Sequence, residues 1–493
     1  MFRPSRREFQ ELARLKFQIP VATSLPLEAL PHLIYEAMDY AAPTVFLESA
    51  RAHPVTGRYS LIVGEPALTL VAKGDRVWLT NGGDTSILDE PPLQLLQRLL
   101  DAKPTVRIPG FPPFVGGAVG FFGFDAYRYM ETIPSRASDD LRLPDLFFFF
   151  CDQAVVIDHL LQKMWVVVLA DPANGANRAY DEAIGRMDAL IRRATRSPEN
   201  GVRHQTDTVS DTPSSTHTRE SFEAMVRQAQ RYISDGEIYQ ANLSQRFAVP
   251  QREEPWTLYQ RLRTINPSPF SAFADFGSFQ VVSASPERFL RVQGRTVETR
   301  PIAGTRPKGK TAVETARLRQ DLILNEKERA EHLMLVDLER NDLGRVCRYG
   351  SVRVDEMMVL EEYSHVIHIV SNVRGTLQPT ARPMDLVAAA FPGGTITGCP
   401  KIRSIEIIDE LEPVRRQLYT GSLGYIGYTG DMDMNLLIRT ALVARDTVYV
   451  QTGAGIVADS DPGREFEETM HKAQALMETL HADAEVAAAV AAP

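Results

Sequence analysis

Cysteine is scarce in this chain: Cys151, Cys347 and Cys399 are the only three in 493 residues. They lie far apart and without C-x-x-C spacing, which excludes a disulfide frame and a cysteine-based zinc site. Long apolar runs are missing too, so no segment is a candidate to span a bilayer. The basic N-terminus runs into an amphipathic stretch with no uninterrupted apolar region, unlike a signal peptide. These absences predict a cytoplasmic protein with no membrane partner. No block of Lys and Arg occurs and the formal charge is -9, which argues against a nucleic-acid surface and for a small-molecule partner. Neither a Walker loop nor a dinucleotide fingerprint is found. What remains is a globular composition, 44% hydrophobic and 24% charged, long enough for two domains or for one large one with a lobe.

Short apolar or alternating runs dominate from about 15 to 195, including Pro43-Thr-Val-Phe-Leu-Glu-Ser49 and Gly57-Arg-Tyr-Ser-Leu-Ile-Val63. Leu146-Phe-Phe-Phe-Phe150, Val155-Val-Ile-Asp158 and Met164-Trp-Val-Val-Val-Leu169 predict buried strands joined by a hairpin at 159–163. After a helix near 183–191, the polar stretch 196–217 reads as a linker. Thr218 then caps a helix with apolar residues at a 3.6 period, ending at Asp235-Gly236, and a strand is expected from Ile238 to Leu243. Later strands alternate irregularly with helices near 313–340, 383–391, 401–411 and 463–481. The lack of regular βαβ alternation favours an α+β fold. The organisation expected is 15–195, a linker at 196–217, a second domain at 218–480, and a low-complexity, disordered tail at 482–493.

The most informative stretch lies between Gly453 and Lys472. Its glycines bare the backbone, and Glu465, Glu468 and Lys472 follow at i, i+3 and i+7, a pattern suited to a divalent metal carrying an anionic substrate. A second acidic helix, Asn325-Glu-Lys-Glu-Arg-Ala-Glu-His332, repeats the i, i+3 spacing at Glu328 and Glu331, so two carboxylate helices can face one ion. Any single Glu-x-x-Glu is more often a solvated helix face. Each of Pro301-Ile-Ala-Gly-Thr-Arg-Pro307, Phe391-Pro-Gly-Gly-Thr-Ile-Thr-Gly-Cys-Pro-Lys401 and Tyr419-Thr-Gly-Ser422 is, alone, more often a turn than a site.

Taken in order, these segments closely resemble component I of the chorismate-utilising aminotransferring synthases, the anthranilate and aminodeoxychorismate synthases, from about residue 15 to 480. The resemblance also rests on Leu47-Glu-Ser49, Gly116-Gly-Ala-Val-Gly-Phe-Phe-Gly-Phe-Asp125, Ser285-Pro-Glu287, Arg340-Asn-Asp342 and Tyr363-Ser-His-Val-Ile-His368. It implies large mixed sheets, mainly antiparallel, packed as a β-sandwich with helices outside. It implies a regulatory lobe at 15–195, a chorismate-binding catalytic domain at 218–480, and Mg²⁺ held by Glu331 and Glu468. By the same resemblance, Gly304, Thr305, Tyr419, Arg439, Gly453, Ala454, Gly455 and Lys472 line the chorismate pocket. Thr305 also counts with Glu287, His368 and Gln240 among the catalytic candidates. Glu287 matches the general acid that protonates the departing C4 hydroxyl, which requires a raised pKa and hence burial. His368 matches a supporting histidine near the ring, although a lone His in an apolar strand is more often a core residue.

Related enzymes that add water place a lysine base where this chain has Gln240. A neutral amide cannot deprotonate water, whereas ammonia is already a nucleophile, so ammonia is the favoured co-substrate. The chain shows no glutaminase nucleophile turn, which implies a separate glutamine amidotransferase subunit. Segments such as Tyr239-Gln-Ala-Asn-Leu243 and Phe391-Pro-Gly-Gly-Thr-Ile-Thr-Gly398 favour 4-amino-4-deoxychorismate, made toward 4-aminobenzoate and folate. Ala303, where some aminodeoxychorismate synthases carry lysine, points the other way, toward anthranilate and pyruvate in tryptophan synthesis. A third alternative, an inactive amino-acid-binding homologue, is disfavoured by the intact Glu287, Glu331, Arg439, Glu468 and Lys472. Glu48, Ser49, Pro269, Phe270 and Ser271 match, in part, a tryptophan pocket of the anthranilate enzymes. A rigid proline turn is the alternative there.

Overall fold

The computed structural model describes residues 2–50, 57–196, 213–362 and 366–480, apart from the side chains of Thr305, Pro307 and Val366. The expected linker falls largely outside the described residues, and the tail at 482–493 and Tyr363, Ser364 and His365 fall wholly outside them. Two twelve-stranded sheets form the body. Along its main path the first runs Ile19–Pro26, Lys163–Ala170, Gln153–Asp158, Tyr59–Val63, Thr44–Glu48, Phe270–Asp275, Phe279–Ser285, Thr440–Ala444, Thr447–Ile456, Gln240–Pro250 and Ser214–Ser215. The second runs Ile302–Pro307, Val366–Thr376, Thr296–Thr299, Arg288–Gln293, Met432–Asn435, Ser422–Gly427, Gly117–Phe122, Leu146–Cys151, Leu68–Lys73, Arg76–Asn81 and Asp84–Leu88. Every ladder between these strands is antiparallel.

The phenylalanine run shows why the sheets stack. Phe147 and Phe149 point into a core between the two sheets, whereas Leu146, Phe148 and Phe150 point into a second core under helices. Likewise Trp165 and Val167 face the inter-sheet core while Met164, Val166 and Val168 face helices on the other side. A strand covered on both faces needs apolar residues at every position, so such runs lose the alternation of a half-exposed strand. The result is four layers, helices outside and sheets inside. Helices Ala176–Ala194, Pro255–Ile265 and Pro462–Thr479 cover the first sheet, Lys401–Leu411 packs on its Gln240–Pro250 strand, and Pro92–Asp101, Glu326–Gly344 and Pro383–Ala390 cover the second. Among the described residues no helix is long and apolar enough to cross a membrane.

Both sheets draw strands from 15–195 and from 218–480: Thr44–Glu48 pairs with Phe270–Asp275, and Gly117–Phe122 with Ser422–Gly427. The two segments therefore share their layers.

Local expectations are corrected at two places. The helix expected near 313–340 is two, Ala312–Leu324 and Glu326–Gly344, divided at Asn325, whose side chain accepts from the Glu328 N–H and caps the second. The strand expected from Ile238 begins at Gln240 and continues to Pro250. Thr218 does cap Arg219–Ser234, accepting from the Ser221 N–H.

Candidate active site

The strand Gln240–Pro250 lies beside Thr447–Ile456, with Asn242 opposite Gly455 and Ser244 opposite Gly453. Glycine is needed at 455 by contact: a Cβ there would stand 2.5 Å from Gln240 Nε2 and 3.5 Å from Glu331 Oε1. That close approach lets Gln240 reach across the bare strand and donate to Glu331 Oε1 at 3.0 Å. Gln240 is buried, and among the described residues its side-chain Oε1 has no hydrogen-bond partner. Gly453 is equally constrained, since a Cβ would lie 2.6 Å from Asn242 Oδ1 and 2.9 Å from the Tyr419 hydroxyl. Ala454 between them turns its methyl into the helix-covered core, so it offers main chain to this space.

Helix Pro462–Thr479 starts at the Asp461 cap and presents Glu465, Glu468 and Lys472 along one face. Lys472 Nζ bridges Glu468 Oε1 at 2.6 Å and the Gly453 carbonyl at 2.9 Å. Arg439, in the left-handed backbone region at φ 53°, donates to the Lys472 carbonyl and has its pKa lowered by burial. Burial acts to raise Glu468, but Lys472 and Arg439 prevail and its pKa is lowered. Its side chain is 49% exposed, so it fronts a space open to water. Glu331 is raised, by burial first and then by the charges of Glu328 and Glu468, against Gln240 and Lys472. The charge of Glu468 thus bears on Glu331 from a separate helix, and a divalent cation between them would relieve that repulsion. Among the described residues no group of three or more His, Cys, Asp or Glu forms a ready cage. A two-carboxylate donor set of hard oxygens fits Mg²⁺, which binds through one or two carboxylates and takes the rest of its shell from water or substrate.

On the other side, Gly304 sits at φ 63° in a bulge of the Ile302–Pro307 strand, and a Cβ would stand 2.7 Å from Glu328 Oε2. Thr305 follows, its backbone opposite His368. His368 Nδ1 lies 3.4 Å from the Gly304 carbonyl, and burial pushes its pKa down to about 4. It is therefore a neutral imidazole at pH 7. Glu287, 5% exposed, accepts from the Thr395 hydroxyl at 2.9 Å. Burial pushes its pKa up to about 8, aided by the charge of Glu339 and opposed by Thr395 and the Ile302 N–H. Tyr419 is raised by burial and stays protonated.

Arg416 joins these pieces. It donates to the Asn242 carbonyl at 2.6 Å and the Ile396 carbonyl at 3.0 Å, and it pairs with the buried Glu412 at 2.7 Å. Neither Arg416, Glu412, Thr395 nor Glu339 was singled out from the sequence. The Glu412–Arg416 pair is at i,i+4 spacing and could have been read from the sequence, whereas only the fold brings Thr395 and Glu339 beside Glu287.

A second cavity, of about 80 Å³, is lined by Glu48, Ser49, Pro269, Phe270 and Ser271 together. Glu48 is already spent. Arg263 donates to both of its oxygens at 2.7 and 2.8 Å, and the Tyr259 hydroxyl donates at 2.6 Å. Ser49 Oγ donates to the Tyr59 carbonyl at 2.8 Å.

The profile of the chorismate binding enzyme family matches residues 43–478. The chain is 41% identical over 437 residues to aminodeoxychorismate synthase component 1 of Bacillus subtilis, covering 88% of this chain and 91% of that protein. It is 37% identical over 493 residues to anthranilate synthase component 1 of Acetivibrio thermocellus, covering 99% and 100%. In fold it is similar to the crystal structure of anthranilate synthase component I from Streptococcus pneumoniae, with a TM-score of 0.74, 33% identity, and 86% and 93% of the two chains covered.

Proposed function

The chain belongs to the chorismate-binding enzyme family as a component I, and from that premise we propose that it aminates chorismate to 4-amino-4-deoxychorismate. The observation that carries amination is Gln240: the side chain that reaches Glu331 is an amide, unable to activate water. Ammonia comes from a separate glutamine amidotransferase subunit.

In this reading Glu287 holds its proton at neutral pH because its pKa stands near 8, and it gives that proton to the departing C4 hydroxyl, which leaves as water. Lys472 and Arg439 meet the substrate carboxylates. Neutral His368 orients the ring region without exchanging protons. Glu331 and Glu468 would hold Mg²⁺, which would supply charge neutralisation for an anionic substrate. Addition of ammonia at C4 retains the enolpyruvyl group. Addition at C2, followed by loss of pyruvate, gives anthranilate, and one observation favours that second reading: Ala303 is a buried methyl with no nucleophile to offer.

Incubation of the chain with chorismate, Mg²⁺ and ammonium separates the two. A product that aminodeoxychorismate lyase converts to 4-aminobenzoate is expected. Anthranilate fluorescence without the lyase transfers the assignment to the second reading, and no chorismate consumption removes both. The second cavity is proposed to take tryptophan, with calorimetric titration as its test; an absence of binding at millimolar tryptophan refutes it.

A further inference from the structure

Helix Glu326–Gly344 carries two acidic side chains into the interior, Glu339 at 3% exposure and Asp342 at 4%. Asp342 has a cation: Lys401 Nζ donates to it at 2.6 Å and to the Ala390 carbonyl at 2.7 Å. Glu339 Oε2, by contrast, is buried without a hydrogen-bond partner among the described residues. Its Oε1 lies 3.7 Å from the point where a Cβ on Gly394 would stand, and the Thr299 hydroxyl and the Gly394 N–H face the carboxyl. The next residue, Thr395, donates to Glu287. Two buried carboxyls thus address adjacent residues of one three-residue turn, Gly394–Ile396.

We propose that Glu339 is a positioning residue of the reaction, acting on Glu287 across the Gly394–Thr395 link rather than on substrate. The inference rests on Glu287 being the proton donor. A negative charge on Glu339 disfavours ionisation of Glu287 and keeps the donor loaded, while the contact with Gly394 fixes the turn whose hydroxyl orients it. The titratable and charged groups around the pair are Asp342 on the same helix, Lys401 on the helix Lys401–Leu411, and Arg345 beside Asp342. Burial and Asp342 push the Glu339 pKa up, and Lys401 opposes them.

The test is the pH profile of chorismate consumption, which does not depend on which product forms. Glu339→Gln is expected to move the alkaline limb toward acid, with a loss on the order of threefold greater at pH 8.5 than at pH 6.5. Glu339→Asp, which keeps the charge, is expected to keep the wild-type limb. An unmoved limb in Glu339→Gln, or an equal displacement in Glu339→Asp, overturns the proposal and leaves Glu339 a mere support of the turn. Should Glu339→Gln not fold, infrared titration of the wild-type chain carrying ¹³C-labelled glutamate takes its place. Two buried carboxyl bands with mutually displaced titrations are expected, and independent single titrations overturn the idea. Glu287→Gln is assayed alongside. If it turns over chorismate normally, the proton-donor assignment has failed; if it is inactive while the Glu339→Gln limb is unmoved, only the role of Glu339 has.

Discussion

Replacing Arg416 by Met is expected to weaken the fold and the site together. The guanidinium and Glu412 are 1% and 3% exposed, and Glu412 also accepts from the Ser244 N–H at 2.9 Å and the Ser244 hydroxyl at 2.7 Å. Methionine fills the volume but leaves a buried carboxylate without its cation and the Asn242 and Ile396 carbonyls without a donor. Breaking one side of such a pair costs about 3–5 kcal/mol. A chain of this length unfolds with an entropy of ~1 kcal/mol/K, so the melting temperature should fall by about 3–5 °C. Urea unfolding followed by tryptophan fluorescence measures the difference directly. The double variant Arg416→Met, Glu412→Gln removes the stranded charge while an amide oxygen still accepts from Ser244, so it should recover about 1–2 kcal/mol. A single variant within ~1 kcal/mol of wild type, or a double variant no better than the single, refutes this account of the joint. Turnover should fall in both variants, because the tie between the Gln240 strand and the Thr395 turn is lost in each.

Three further outcomes are expected. Gly455→Ala places a methyl 2.5 Å from Gln240 Nε2, so Gln240 must leave Glu331. Ammonia-dependent turnover should then drop on the order of 10- to 100-fold with little change in unfolding free energy, and wild-type rates show that the contact is irrelevant. Glu287 has a folded pKa raised from 4.5 to about 8, so the stability it contributes is full below its ordinary pKa and is lost as pH rises through 8. Glu287→Gln should therefore match wild-type stability near pH 4, exceed it increasingly toward pH 8, and be inactive throughout; a pH-independent difference contradicts its burial as an acid. Glu468→Gln removes one carboxylate at a half-exposed position, so stability should hold while turnover falls on the order of 100-fold and its Mg²⁺ dependence weakens. Unchanged kinetics remove the metal assignment.

The parts legible in the sequence were those with a local cause. Leu146–Cys151, Gln153–Asp158 and Lys163–Ala170 are apolar on both faces because both faces are covered, and Thr218 caps the helix it precedes. The strand Arg353–Glu362 went unseen because its partly exposed, charge-rich residues look like a loop. Ile302–Pro307 was hidden by its prolines and by the bulge at Gly304. At the site, the acidic spacing on two helices was visible, and so was the need for glycine at 453 and 455. What each glycine makes room for, Asn242 and Gln240, depends on a ladder between residues two hundred positions apart. The carboxyl that faces the turn behind Glu287 is hidden for the same reason: Glu339 reads as one charge in Leu-Glu-Arg-Asn, and nothing local says that it points inward.

The shared sheets also constrain how the chain is made. Thr44–Glu48 finds one of its two neighbours only when Phe270–Asp275 has been synthesised, and Gly117–Phe122 waits for Ser422–Gly427. At ribosomal rates of ~5–20 residues per second, each edge stays open for on the order of tens of seconds. The emerging N-terminal part therefore presents two open strand edges, at Thr44–Glu48 and Gly117–Phe122, while the rest is still being translated. Its safe passage depends on holding factors or on slow closure rather than on lobe-by-lobe folding, and the chain should aggregate readily if translation stalls before the last strands appear.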